Sequence, residues 1–404
     1  MLEGSDFDDI KPRELAIRVA LPLVLMLVAF YIRWENIPHF DFQVWQTALR
    51  LAESGMNPYD SEVLNDTLRV VSSTEGGIFT EENRETVKMQ YFNPPWWLLQ
   101  LKILSANALA MSLLGAVFAM GSLAWLGRRM EQSRYLAASI APVYLMFASF
   151  GVTTFRFGQT GLWLAGLYGL YLVLIRSGWS GVPLMAMAFK PHIALAAGIG
   201  EFIANPKRRL SNWVPAIVAG VAASAIAFGP QMWSEYISTN LSDDLPSSFE
   251  DMTLRTMSTR FHLPSWTNLV GLGVALVVAV VTSHKWRAAR PELIALWTTA
   301  ITIFLSGHGF THDWMWLFFV PVVCNWRVIQ TVIVTTVVTQ AHLFSWSTGH
   351  SSEPQLVSLM SLIALSATIY LGWSTYRDAQ SNSGGTGKSE AVEHSDSVAE
   401  PVLA

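Results

Sequence analysis

The stretch HFDFQVWQTALRLAESGMNPYD, residues 39–60, has a single aspartate near its start, Asp41, just after an apolar run. A carboxylate there can cap the first turn of a helix. It can also take a proton from a group lying at the boundary between lipid and water. The two uses are compatible, because a residue that begins a helix is held well in place. Glu53 and Asp60 compete with it. Glu53 falls on the polar face of the same stretch, and Asp60 follows a turn where it can cap the next segment. Lys190 ends an apolar half-span and precedes Pro191. A lysine at membrane depth is costly and marks a functional site unless its ammonium snorkels to the interface. Arg156 and Gln159 (RFGQT) and His308, His312 and Asp313 (GHGFTHD) stand at turns between apolar runs. The plain reading of both groups is a polar interfacial turn. Histidines four apart can share a helix face and a metal, but Gly307 and Gly309 argue for a turn and no acidic pair accompanies them. We expect no metal and no cofactor.

These residues need elements to hold them. Phe42, Trp45, Leu49 and Ala52 recur at helical spacing, with Gln43, Gln46, Arg50 and Glu53 on the other face. That pattern predicts a short amphipathic helix lying on a membrane surface. Gly55 supplies a left-handed cap and Pro58 stops the helix. In MQYFNPPWWLLQL, residues 89–101, Pro94 and Pro95 start another helix, and Trp96 and Trp97 suit the interface.

The whole chain of 404 residues is 51% hydrophobic and only 14% charged, well below the charge of a soluble domain. Apolar runs recur throughout, so the fold class is an all-α polytopic membrane protein. Runs near 15–33, 106–127, 136–155, 160–176, 178–190, 191–204, 212–230, 265–283, 292–308, 313–327, 328–346 and 355–373 give about 12 transmembrane helices. The pair 178–190 and 191–204 reads either as two short spans or as one broken, re-entrant element. Lys and Arg fall in alternate short loops, which puts both termini in the cytoplasm and loop 34–105 outside. We expect one integral-membrane domain over 1–378 and a disordered cytoplasmic tail over 379–404. A net charge of -4 without a large basic cluster excludes nucleic acid as a partner. The single Cys324 excludes an intrachain disulfide. No internal repeat is visible.

Five blocks occur in order over roughly residues 41–321: FDFQVWQTALRLAESGMNPYD, YFNPPWWLLQL, FRFGQTGLWLAGLYGLYLVLIR, GVPLMAMAFKPHIALAAG and GHGFTHDWMWLFFVP. Together they resemble glycosyltransferase family 87, membrane enzymes of the GT-C fold that use polyprenyl-phosphate sugars. The resemblance implies a cell-membrane, multi-pass enzyme with its active site outside. Its donor would be a polyprenyl-phosphate sugar, mannose or another hexose, and its acceptor a glycolipid or cell-envelope glycan, with membrane lipids around it. It implies Asp41 as general base. Lys190, His312, Arg156 and Gln159 would meet the donor phosphate, with His192 a further option. Tyr59, Tyr91, His308 and Trp97 would contact acceptor or sugar, and Trp96 and Trp314 are further rings that could stack on one. Two positions depart from the family's pattern, Asn93 for a tyrosine before proline and Trp45 for a tyrosine after the aspartate, and both bear on acceptor choice. A transporter or lipid flippase is the alternative, since it too needs many helices, a broken element and a buried lysine. It leaves the long external loop unexplained. A non-catalytic assembly partner with the same fold is a third.

Overall fold

The structure, a computed structural model, describes residues 40–75, 89, 91–104, 108–130, 159–242, 264, 266–305, 311–326, 330–331, 333–334, 336–338 and 354–383. Among these residues there is no strand. The helices are α1 (Phe40–Glu53), α2 (Ser61–Glu75), α3 (Pro95–Leu104), α4 (Ala108–Arg129), α5 (Gly161–Leu174), α6 (Gly181–Met187), α7 (Pro191–Ala204), α8 (Pro206–Phe228), α9 (Gln231–Ser242), α10 (Trp266–Lys285) and α11 (Pro291–Leu305). A 3-10 helix, Thr311–Phe319, runs into the single turn α12 (Val320–Val323), and α13 (Pro354–Ser383) closes the described chain. The apolar runs near 15–33 and 136–155 lie outside the described residues, as does most of 328–346.

The core is a stack of α4, α5, the 3-10 helix, α7 and α11. Helix α4 packs along α5, and small residues make the approach possible. A Cβ on Gly115 would come 2.8 Å from the backbone nitrogen of Trp163, and one on Gly169 would strike the ring of Phe319 and the side chain of Ser122. Ser122 Oγ donates 2.9 Å to the carbonyl of Gly166 across the same contact. Close backbone approach with a bridging hydroxyl is how helices associate in lipid, which gives no hydrophobic drive for it. Helix α11 is buried nearly all round and packs on α7, α10 and α13.

Among the described residues two helices, Ala110–Gly127 within α4 and Pro206–Phe228, are long and apolar enough to cross a membrane by themselves. Only 6% of the second is buried inside the protein, and Val214, Ile217, Val218 and Ile226 point outward. An apolar helix with an apolar outer face fits lipid as its solvent. The segment read as a span at 313–327 is instead 3-10 helix and one α-turn. Its nine 3-10 residues are drawn out at about 2 Å each, so a short segment covers more depth than an α-helix would. The tail begins later than expected: Ala379–Ser383 continue α13, with Ala379 buried and Ser383 Oγ donating back to the Ala379 carbonyl. Asp378 anchors this end, accepting from Arg290 Nε at 2.9 Å and from the Arg290 amide at 2.7 Å.

Candidate active site

Helix α1 forms as its spacing dictates. Phe42, Trp45, Leu49 and Ala52 are all buried, but against α2 and α3 rather than lipid, with Trp45 meeting Trp97 edge-on at 5.7 Å. Val44, Thr47, Ala48 and Leu51 are buried too, so the helix is tucked into the protein more deeply than a surface helix would be. It ends in a Schellman motif: Gly55 takes φ +75, Met56 N–H bonds the Leu51 carbonyl at 2.9 Å and Gly55 N–H that of Ala52 at 3.1 Å. The competing carboxylates have structural work. Glu53 pairs with Lys102 at 2.9 Å on the surface. Asp60 Oδ1 accepts from the amides of Glu62 at 3.0 Å and Val63 at 3.2 Å, the N-cap of α2.

Asp41 lies in the first turn of α1, and its carboxyl faces another element. Gln159 Nε2, from the residue pair that leads into α5, donates to Asp41 Oδ2. Asp41 as a residue is only half-buried, yet protein crowds its carboxyl enough that burial dominates. Burial pushes it up from 3.8 to about 6, against the opposing pull of the Gln159 hydrogen bond and the charge of Lys190. A carboxylate so tuned is still mostly ionised at pH 7 and is a stronger base than a solvated one.

Lys190 stands in the gap between α6 and α7, and Pro191 is the first residue of α7. Its ammonium is buried and donates to Asp313 Oδ1 of the 3-10 helix. His192 Nε2 lies 3.8 Å from the other oxygen of Asp313. Asp313 is fully buried. Asp41, Lys190 and Asp313 thus alternate negative, positive, negative, contributed by three elements far apart in sequence. Sequence reasoning placed Asp313 only in a turn. The signal that could have found it is charge balance: one lysine at membrane depth demands a carboxylate at the same depth.

The break before Lys190 has its own support. Helix α6 stops at Met187, which leaves carbonyls without intrahelical donors. Gln100 Nε2 of α3 donates 2.9 Å to the Ala186 carbonyl, and Asn93 Nδ2 donates 3.1 Å to that of Phe189. Gln100 Oε1 in turn accepts from Trp163 Nε1 at 3.0 Å. Tyr59 donates its hydroxyl 2.8 Å to the Asn93 carbonyl. Asn93 therefore ties the first loop to the lysine-bearing break, through its own carbonyl on one side and its side-chain amide on the other.

The remaining candidates divide. Tyr59 and Tyr91 pack ring on ring at 5.2 Å, both buried, and burial holds both phenols protonated by raising them. The Tyr91 hydroxyl has no hydrogen-bond partner among the described residues. Trp97 is fully buried, stacked on Phe189 at 4.3 Å, and Trp314 is fully buried beside Trp316 at 5.4 Å. Neither offers an open face to a sugar, whereas half-buried Trp96 stands against Trp233 at 5.0 Å. Arg156 and His308 lie outside the described residues, as does the side chain of His312. Among the described residues no three His, Cys, Asp or Glu side chains gather as metal ligands.

Residues 91–307 match the family model of glycosyltransferase family 87, more than half of the chain. The chain belongs to glycosyltransferase family 87. It is therefore a glycosyltransferase, and its apolar helices make it a membrane protein. No curated protein and no solved structure matches it. Within this family 87 chain, Gln159 and Lys190 fall inside the matched stretch and Asp41 and Asp313 outside it. The contacts Gln159–Asp41 and Lys190–Asp313 join the flanking parts of the chain to the matched part.

Proposed function

We propose that the enzyme moves a sugar, mannose or another hexose, from a polyprenyl phosphate to a hydroxyl of a lipid-linked or cell-envelope glycan, with Asp41 as general base. The observation that carries this reading is the Asp41 carboxyl, fixed by Gln159 Nε2 and lying within the field of the Lys190 ammonium. In one inverting displacement the acceptor oxygen bonds to the anomeric carbon while its proton passes to Asp41. The bond from that carbon to the phosphate oxygen breaks, and polyprenyl phosphate leaves with the electron pair. Lys190 is the cation for that phosphate, and the family resemblance adds His312 and Arg156 to it. The phosphate has to share Lys190 with Asp313, which keeps the ammonium neutralised and in place before the donor arrives.

We place the reaction on the outer face of the cell membrane, in a protein of about twelve spans with both termini inside. Supporting this, the site gathers where α5 and α7 begin. Their other ends carry an arginine–glutamate network: Arg176 with Glu292 at 3.2 Å, and Arg209 with Glu201 and Ser180. The 14 residues of α5 separate the two ends by roughly 21 Å, and the positive-rich end is the cytoplasmic one by the positive-inside rule. The test is transfer from radiolabelled polyprenyl-phosphate mannose to extracted membrane lipids, comparing wild type with Asp41→Asn. The variant is expected to lose at least about 10²–10⁴-fold in rate and to keep donor binding. Full transfer by the variant removes Asp41 from the role. An unchanged rate of lipid or solute movement with no transfer by wild type would favour a transporter.

A further inference from the structure

Gln159 was expected at the donor phosphate, but its geometry gives it a different partner. Its amide nitrogen gives one of its two N–H groups to Asp41 Oδ2. Its other end, Oε1, is shut away from water and has no hydrogen-bond partner among the described residues. The end that has no partner among the described residues is therefore an acceptor. An acceptor repels the oxygens of a phosphate and suits a hydroxyl, which can donate to it. A buried acceptor without a donor is costly, and the group best placed to satisfy it is one that comes to the base next door.

We propose that Gln159 positions Asp41 through Nε2 and, through Oε1, accepts a hydrogen bond from a hydroxyl of the sugar acceptor. Its substrate class is a polyhydroxylated acceptor, with one hydroxyl giving its proton to Asp41 and another held by Gln159. This rests on Asp41 being the base. The charged and titratable groups near that carboxyl among the described residues are Lys190, which lowers its pKa, and behind it Asp313 and the imidazole of His192. Removing the Gln159 hydrogen bond leaves burial less opposed, so the carboxyl should titrate higher.

The experiment uses the full-length membrane enzyme with radiolabelled polyprenyl-phosphate mannose as donor and titrated extracted membrane lipids as acceptor. For Gln159→Leu we expect the acid limb of kcat/KM to move up by about one pH unit. The apparent acceptor KM should rise about tenfold, the worth of a lost hydrogen bond to a substrate hydroxyl, while the donor KM stays within twofold. Gln159→Asn, which keeps both ends of the amide on a shorter stem, should lie between, and it serves where Gln159→Leu does not survive purification. A raised donor KM with an unmoved acceptor KM and pH limb would return Gln159 to the phosphate and overturn the proposal. If Asp41→Asn retains transfer, the general-base reading fails first. If Asp41→Asn is inactive and both Gln159 variants behave as wild type, this proposal alone fails.

Discussion

Asp41 illustrates how one residue can cost stability and supply function. Its folded pKa of about 6 lies above its unfolded value of 3.8, so the folded protein binds that proton more tightly. Its contribution is then full below about pH 3.8, shrinks as pH rises to about 6, and stays lowered above that. The shift is worth roughly 3 kcal/mol at most. Asp41→Asn keeps the shape and removes the buried charge, so the variant should melt no lower than wild type at pH 7.5. The gap between the two should close as pH falls to 4.5. Thermal unfolding in detergent at both values measures this, and a variant that melts several degrees lower at pH 7.5 would mean the carboxylate holds the fold instead. Loss of transfer together with retained stability is the signature of a group kept for chemistry.

At the scale of elements, the site depends on a helix that stops. The gap at Ala188–Lys190 frees carbonyls that α3 must satisfy, and Gln100 serves two partners there, the Ala186 carbonyl and Trp163 Nε1. Gln100→Leu orphans both, at about 1–3 kcal/mol each, and it should lower the melting temperature by several degrees and weaken donor binding through a displaced Lys190. Wild-type donor affinity in this variant would show that the break holds its shape without α3. Local elements of this kind were legible in the sequence. The face of α1, the turn at Gly55, the cap at Asp60 and the start at Pro95 each rest on residues within one or two turns of one another. The pairs that make the site were not, because Asp41 and Gln159 are 118 residues apart and Lys190 and Asp313 are 123. Periodicity reports which face is apolar, not what lies against it. For that reason α1 was expected on lipid and is instead covered by α2 and α3, and Trp97 was expected at a sugar and is instead packed on Phe189.

At the scale of the molecule, the site is held by the fit of α4 on α5, since Gln159 and Thr160 lead directly into α5. Gly115→Ala puts a methyl 2.8 Å from the Trp163 nitrogen and 3.1 Å from the Leu162 carbonyl carbon, both backbone, so the helices must part, at about 1–3 kcal/mol. Gly121→Ala on the same helix meets nothing within 4 Å and should be neutral or slightly stabilising through helix propensity. Equal melting temperatures for the two variants would mean that this crossing is looser than described. The Lys190–Asp313 pair has a consequence for how the chain is made. Synthesis delivers the lysine 123 residues ahead of its carboxylate, so a nascent chain inserting into the bilayer must carry an unmatched cation until the ribosome has passed the 3-10 helix. Products cut short before that point should be unable to seat α7 at its final depth and should be cleared by the cell's membrane quality control.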